Sequence, residues 1–182
     1  MSFQHNVFLV AQQIDQELKE AGFSKNEPII SKIENHCIYD GVITNRSLRR
    51  KTEKLFKDGH HARAVEEAFK LLDNLVKKKA ELQNADITGA QLMQKVFSPN
   101  KPKLKLNSCV TSSEQNEQQG YMQIFAGCMT GIRNPRAHDS DWEDTEERAL
   151  QLIILANHLI ERTQMAEITE LYSRGQDFIY TS

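Results

Sequence analysis

The segment HHARAVEEAFKLLDNLVKKKAEL, beginning at His60, limits the possible folds more than any other part of the chain. Val65, Phe69, Leu72 and Val76 recur at spacings of three and four and form one apolar stripe. Glu66, Lys70, Asp73 and Lys77 form a polar stripe beside it. That is the period of a helix with one face buried. A second segment, ALQLIILANHLI from Ala149, is apolar nearly all round, which suits a helix central to a bundle or shared with a second subunit. Only 8 glycines and 4 prolines interrupt 182 residues, so long helices are favoured over strands and tight turns. The chain predicts an all-α bundle of one main domain.

Other helices are legible between these two. FQHNVFLVAQQIDQELKEAG places Phe3, Val7, Val10, Ile14 and Leu18 on one face, and NEPIISKIENHCI follows with Pro28 in its first turn. A short basic helix runs through RSLRRKTEKLFKDG and ends at Gly59. Thr88 is placed to cap the helix TGAQLMQKVF, and Thr111 with Glu114 has the spacing of a capping box. The lysine-bearing stretch 98–113 predicts a flexible loop with room for a brief extended pair. The division expected is a helical N-terminal extension over 1–45, a helical domain over 46–165, and a tail or short helix over 166–182.

A formal net charge of −2 gives no global sign of nucleic-acid binding, so any basic surface must be local. The strongest local concentration includes Arg49, Arg50 and Lys54, which either guide a phosphate backbone or form a solvated helix face. Three scattered cysteines, Cys37, Cys109 and Cys128, form no C-x-x-C pair and predict reduced thiols rather than a disulfide framework or a zinc site. His60 and His61 lack a third ligand at suitable spacing, so neither a metal nor a cofactor is expected. With no secretory leader pattern and no apolar run long enough for a bilayer, a cytoplasmic location without membrane attachment is expected.

The candidate for chemistry is GIRNPRAHDS, at the junction of two strong helices. Asn134 precedes Pro135 and is expected to end or kink the first helix there. In an unbroken helix Arg133 and His138 would stand about 140° apart around the axis; a break would let both face one phosphate. The next helix is expected to start close behind, with Asp139 or Asp141 as its N-cap and Glu143, Asp144, Glu146 and Glu147 in its first turns. Arg136 adds a further cation for a nucleic-acid backbone. Asp73 and Glu66 could orient the arginine, or could form an ion-pair ladder with Lys70 and Lys77. Gly127 and Gly131 would permit close approach of a neighbouring helix or of a second subunit.

An arginine and a histidine with four residues between them resemble the R-x4–6-H signature of the HEPN superfamily (higher eukaryotes and prokaryotes nucleotide-binding domains). More narrowly, LFKDGHHARAVEEAFKLLDNLVKKK, GAQLMQKVFSP and GYMQIFAGCMTGIRNPRAHDS are similar to the Ymh-type branch of bacterial and prophage-encoded proteins. The resemblance runs from about Leu55 to Ile160, with His61 standing where that branch usually has tyrosine. It implies a HEPN-like helical bundle with additional N-terminal helices. It also implies a homodimer in which two such motifs form a composite cleft. Carried over by position, Arg133 and His138 would be the catalytic pair and Asn134 the polar residue beside the arginine. The activity implied is a metal-independent endoribonuclease, a toxin or antiphage effector that leaves a 2′,3′-cyclic phosphate, with an antitoxin or defence-system protein as a further partner. The alternative is a catalytically inactive HEPN module that binds nucleic acid or a partner protein.

Overall fold

Four of the described helices start where a polar side chain meets an otherwise unpaired backbone N–H. The computed structural model describes residues 27–169 and five helical positions ahead of them, 12, 13, 16, 17 and 20. The remaining positions of the first predicted helix, and the chain after residue 169, lie outside the described residues. Helix α1 spans Glu27–Val42. Asn45 opens α2, Arg46–Lys57, by accepting the Ser47 and Leu48 N–H groups at 3.0 and 3.1 Å. Gly59, at φ +86°, turns the chain into α3, His61–Lys79. Helices α4, Gly89–Phe97, and α5, Ser112–Cys128, follow. A π turn, Met129–Arg133, joins α5 to the short α6, Asn134–His138, and α7 runs over Glu146–Met165.

Two of the expected caps differ in outcome. Thr111 and Glu114 form the full capping box. Thr88 stands at the N-cap of α4 but makes no side-chain bond; the Asp73 carboxylate accepts from Gly89 N–H at 2.7 Å instead. A ligand from a neighbouring helix has replaced the local one, which also ties α4 to α3.

Helices α3 and α7 share the most extensive packing with each other of any non-adjacent pair. Val65, Phe69, Leu72 and Val76 from α3, with Ile153, Ala156 and Ile160 from α7, are buried in one core. Each such large side chain contributes roughly 1.5–3 kcal/mol on leaving water. Phe97 and Phe125 stack at 4.3 Å and join α4 to α5. Tyr39 and Ile43 belong to the same core, fully buried, and the Tyr39 ring stacks on Phe56 at 5.0 Å. The C-terminal part of α1 is therefore packed against the bundle.

The stretch 98–113 is pinned rather than loose. Gln118 is fully buried; it donates to the Phe97 and Leu104 carbonyls at 3.0 Å and accepts from Leu106 N–H at 2.9 Å. The brief extended segment is β1, Leu104–Lys105, and it pairs antiparallel with β2, Glu167–Ile168, in the register Leu104 to Ile168. Its partner thus comes from the far side of the sequence.

Glu114 makes this region sensitive to pH. Its carboxylate accepts from Thr111 N–H at 2.8 Å, Ser108 Oγ at 2.7 Å and Val110 N–H at 3.0 Å. The bond from Thr111 first, then the others, pulls its pKa from 4.5 down to about 2. A carboxylate held down in this way stabilises the fold fully above its unfolded pKa and loses that contribution as pH falls through the folded one. Thermal melts of the protein and of Glu114→Gln should therefore differ at pH 7 and converge between about pH 4.5 and 2.

Candidate active site

Proline has no N–H and its ring crowds the carbonyl four residues back, so a break was expected at Asn134. The chain solves the problem differently. It shifts its hydrogen-bond register one residue earlier, in the π turn Met129–Arg133, so that Asn134 N–H bonds the Met129 carbonyl. Asn134 itself is helical, at φ −63° and ψ −44°, and Pro135 falls in the first turn of α6, where its missing donor costs nothing. The Ile132 carbonyl is taken by Arg136 Nη1 at 2.6 Å.

The consequence corrects the expected geometry. Arg133 through His138 is one helical run, so within one chain the two side chains leave the axis about 140° apart. That spacing around the axis does not by itself turn the two side chains toward one phosphate. Nor does the start of α7 follow closely: Thr145 is its N-cap, accepting Arg148 N–H at 3.2 Å, and residues 139–145 separate it from His138. Asp139 instead closes a local turn by accepting Asp141 N–H at 3.0 Å.

Arg133 is half-buried against α3. Its Nη1 donates to Asn134 Oδ1 at 3.2 Å, while its Nε is sealed from solvent and has no acceptor. Asp73, from the polar stripe of α3, feels its charge. Burial pushes the Asp73 carboxyl upward, and the Gly89 N–H bond with the charges of Arg133 and Lys77 only partly offsets this. Glu66 does not take part, because it pairs with Arg63 at 2.6 Å and Lys70 at 2.7 Å. His138 is exposed at the last position of α6.

Arg136 is not a surface cation. Its Nε and Nη2 donate to the two Asp144 oxygens at 2.6 Å each, and both side chains are withdrawn from solvent, 1% and 0% exposed. Its guanidinium also lies 5.4 Å from the centre of the Trp142 ring. With the Ile132 carbonyl these contacts engage three of its five N–H donors, so the cation expected to meet a nucleic-acid backbone is held by an internal carboxylate and carbonyl. Asp144, which sequence placed among the anions of a first helical turn, is the residue that was missed. No local spacing identifies it, although the lone tryptophan two residues earlier marks a loop with something to pack.

The basic helix α2 is partly neutralised. Arg49 pairs with Asp40 at 3.0 Å and Glu53 at 3.5 Å, and Lys54 pairs with Asp58 at 2.5 Å. Arg50 is exposed and, among the described residues, makes only a long bond to Ser47, at 3.4 Å. Gly127 and Gly131 are exposed, and a side chain added at either would meet nothing within 4 Å, so neither serves close packing among the described residues. Ile124, on the same run of α5, is 45% exposed. All three cysteines are free. Among the described residues no group of three or more His, Cys, Asp or Glu side chains could hold a metal ion, and no helix is long and apolar enough to cross a membrane.

No curated protein and no solved structure is significantly similar to the chain. A family described as "Protein of unknown function (Hypoth_ymh)" matches residues 44–163, from just before α2 almost to the end of α7. That interval holds α3, the π turn, Arg133, His138 and the Arg136–Asp144 pair, and the chain is a member of this family.

Proposed function

We propose that the protein is a metal-independent endoribonuclease of the HEPN type, acting as a homodimer in the cytoplasm as a toxin or antiphage effector. The observation that carries this reading is the state of Arg133: a half-buried guanidinium whose sealed Nε has no acceptor among the described residues, at the N-cap of the short helix that ends in an exposed histidine. An unsatisfied buried donor on a permanent cation costs stability unless a ligand uses it. A phosphoryl group is the ligand that a guanidinium fork fits best.

The divergence of Arg133 and His138 within one chain supports a composite site. Two copies meeting across α5 would bring two arginines and two histidines to one cleft, and the exposed run Ile124, Gly127, Gly131 offers the unfilled surface for that approach. One His138 would take the proton of a ribose 2′-hydroxyl as its oxygen attacks the adjacent phosphorus. The other would give a proton to the departing 5′-oxygen. The products are a 2′,3′-cyclic phosphate and a 5′-hydroxyl. Arg133 would hold the non-bridging oxygens while charge builds on them.

The same divergence favours a second reading if the chain stays monomeric: an inactive HEPN module that binds nucleic acid, an antitoxin or another partner protein. Purified protein, incubated with RNA in the presence of a chelator and followed by mass mapping of the ends, separates the two. Cyclic phosphate ends are expected. Intact RNA, 3′-hydroxyl ends, or activity lost to the chelator would contradict the enzyme reading.

A further inference from the structure

Where the chain leaves α4 and enters β1, a cleft of about 420 Å3 opens on the surface, lined by Pro99, Lys101, Pro102, Lys105, Cys109 and Thr169. Neither Arg133 nor His138 lines it. Its walls are mostly apolar, and the charged side chains among them are both lysines. Unlike Arg49 and Lys54, these two cations pair with no carboxylate among the described residues. Beside them, burial lowers the Lys103 pKa, the Lys95 charge lowers it further, and Glu81 offsets only part. Like charges are gathered here, at a cost that an anion would offset. Glu114 and Glu117, whose charges reach the Cys109 thiol, are already engaged. Glu114 accepts from Thr111, Val110 and Ser108, and Glu117 from Asn107 and Arg162.

The backbone around the cleft separates two kinds of polyanion. An extended acidic peptide gains affinity by adding a strand to an open sheet edge. That edge is closed here. The Gln118 amide donates to the Leu104 carbonyl and accepts from Leu106 N–H. Thr169 donates its N–H to the Lys103 carbonyl and its hydroxyl to the Pro102 carbonyl. Lys103 N–H bonds the Val96 carbonyl at 2.8 Å, and Cys109 N–H bonds Asn107 Oδ1 at 2.9 Å. What remains is a pair of ammonium groups beside an apolar recess on a braced frame. Single-stranded RNA needs nothing more: its phosphate oxygens meet the cations, and the face of one base or ribose leaves water in the recess. A duplex keeps its bases stacked inside and offers only the phosphates.

We propose that Lys101, Lys105 and the recess they line form a track for single-stranded RNA, holding its backbone without selecting its sequence. The inference rests on the ribonuclease reading, which makes RNA the polyanion this protein handles. The track adds a second point of hold, apart from the site of cleavage. Lysines that meet phosphates position a strand and carry no sequence information.

Cys109 reports from the wall of the cleft, where its thiol is half-buried, while the exposed Cys37 on α1 serves as the control. The full-length His138→Ala protein, which leaves RNA intact on the reading above, is alkylated with and without a single-stranded oligonucleotide, and its peptides are weighed. RNA should slow modification of Cys109 severalfold and leave Cys37 unaffected. In the same background, Lys101→Gln with Lys105→Gln should weaken binding of every oligonucleotide alike. The slope of log affinity against log salt should shrink by about 1.4, roughly 0.7 for each lost phosphate contact. Lys101→Arg with Lys105→Arg keeps the charge and should restore both. Neither lysine belongs to the core, so melting should not change. The inference is overturned if the glutamine pair keeps the original salt slope, or if a duplex of the same sequence protects Cys109 as well as the single strand does. Equal protection by polyglutamate would also overturn it and mark an acidic protein as the occupant. Binding and protection without any cleavage by wild type would keep the track and sink the ribonuclease. Cleavage with Cys109 unprotected would sink the track and leave the ribonuclease standing.

Discussion

His138→Ala is expected to reduce RNA cleavage by about a hundredfold to ten-thousandfold, the range in which a lost proton-transfer group falls. The fold should not change. His138 is exposed at the end of α6, and among the described residues no side chain bonds to it. A melting curve unchanged alongside a large loss of rate would separate chemistry from stability. Arg133→Lys is the informative companion, since it keeps the positive charge and removes the planar fork. It should bind RNA at nearly the wild-type level and cleave it far more slowly. If both variants cleave as the wild type does, neither residue is catalytic.

The largest effect on stability is expected at Asp144. Arg136 and Asp144 are both sealed from water and joined by two bonds of 2.6 Å. Alanine at position 144 leaves the Arg136 charge buried without its anion, which costs about 3–5 kcal/mol. For a domain of this size that lowers the Tm by roughly 10 °C, measurable by calorimetry. Replacing both partners with apolar side chains of similar volume removes the unpaired charge and should recover most of that loss. Cleavage should not recover with it. The pair fastens the loop before α7 to α6, and Arg136 also holds the Ile132 carbonyl next to Arg133. A double variant that is stable but slow would show that the latch places His138 and Arg133 as well as stabilising the fold.

Helices with a clear period were readable in the sequence because the apolar stripe is itself the buried face. Val65, Phe69, Leu72 and Val76 announce α3, and Thr111 with Glu114 announces the start of α5, since a cap and its partner lie within one turn. The features that were not readable depend on contacts across the fold. Asp73 displaces Thr88 as the partner of Gly89 because α3 brings it there. Tyr39 joins the core through Phe56 and Thr52, residues on another helix. The π turn leaves no trace in the spacing of apolar residues, as it moves hydrogen-bond partners by one position and keeps the chain helical. Proline was therefore read as a break when it only required a shift. In the candidate site, Arg133 and His138 were picked out by their spacing, and the variants above test them; the continuity of the helix between them was not legible, and neither was the burial of Arg136.

The divergence of Arg133 and His138 makes the composite site the central claim, and the claim can be measured. Wild-type and His138→Ala chains carrying different tags are co-expressed, and the mixed dimer is isolated through both tags. If each cleft needs one histidine as base and a second as acid, the mixed dimer is inactive, with cleavage about a hundredfold or more below the wild-type dimer. A mixed dimer that keeps about half of the wild-type rate would mean that each chain carries its own complete site, and would contradict the account.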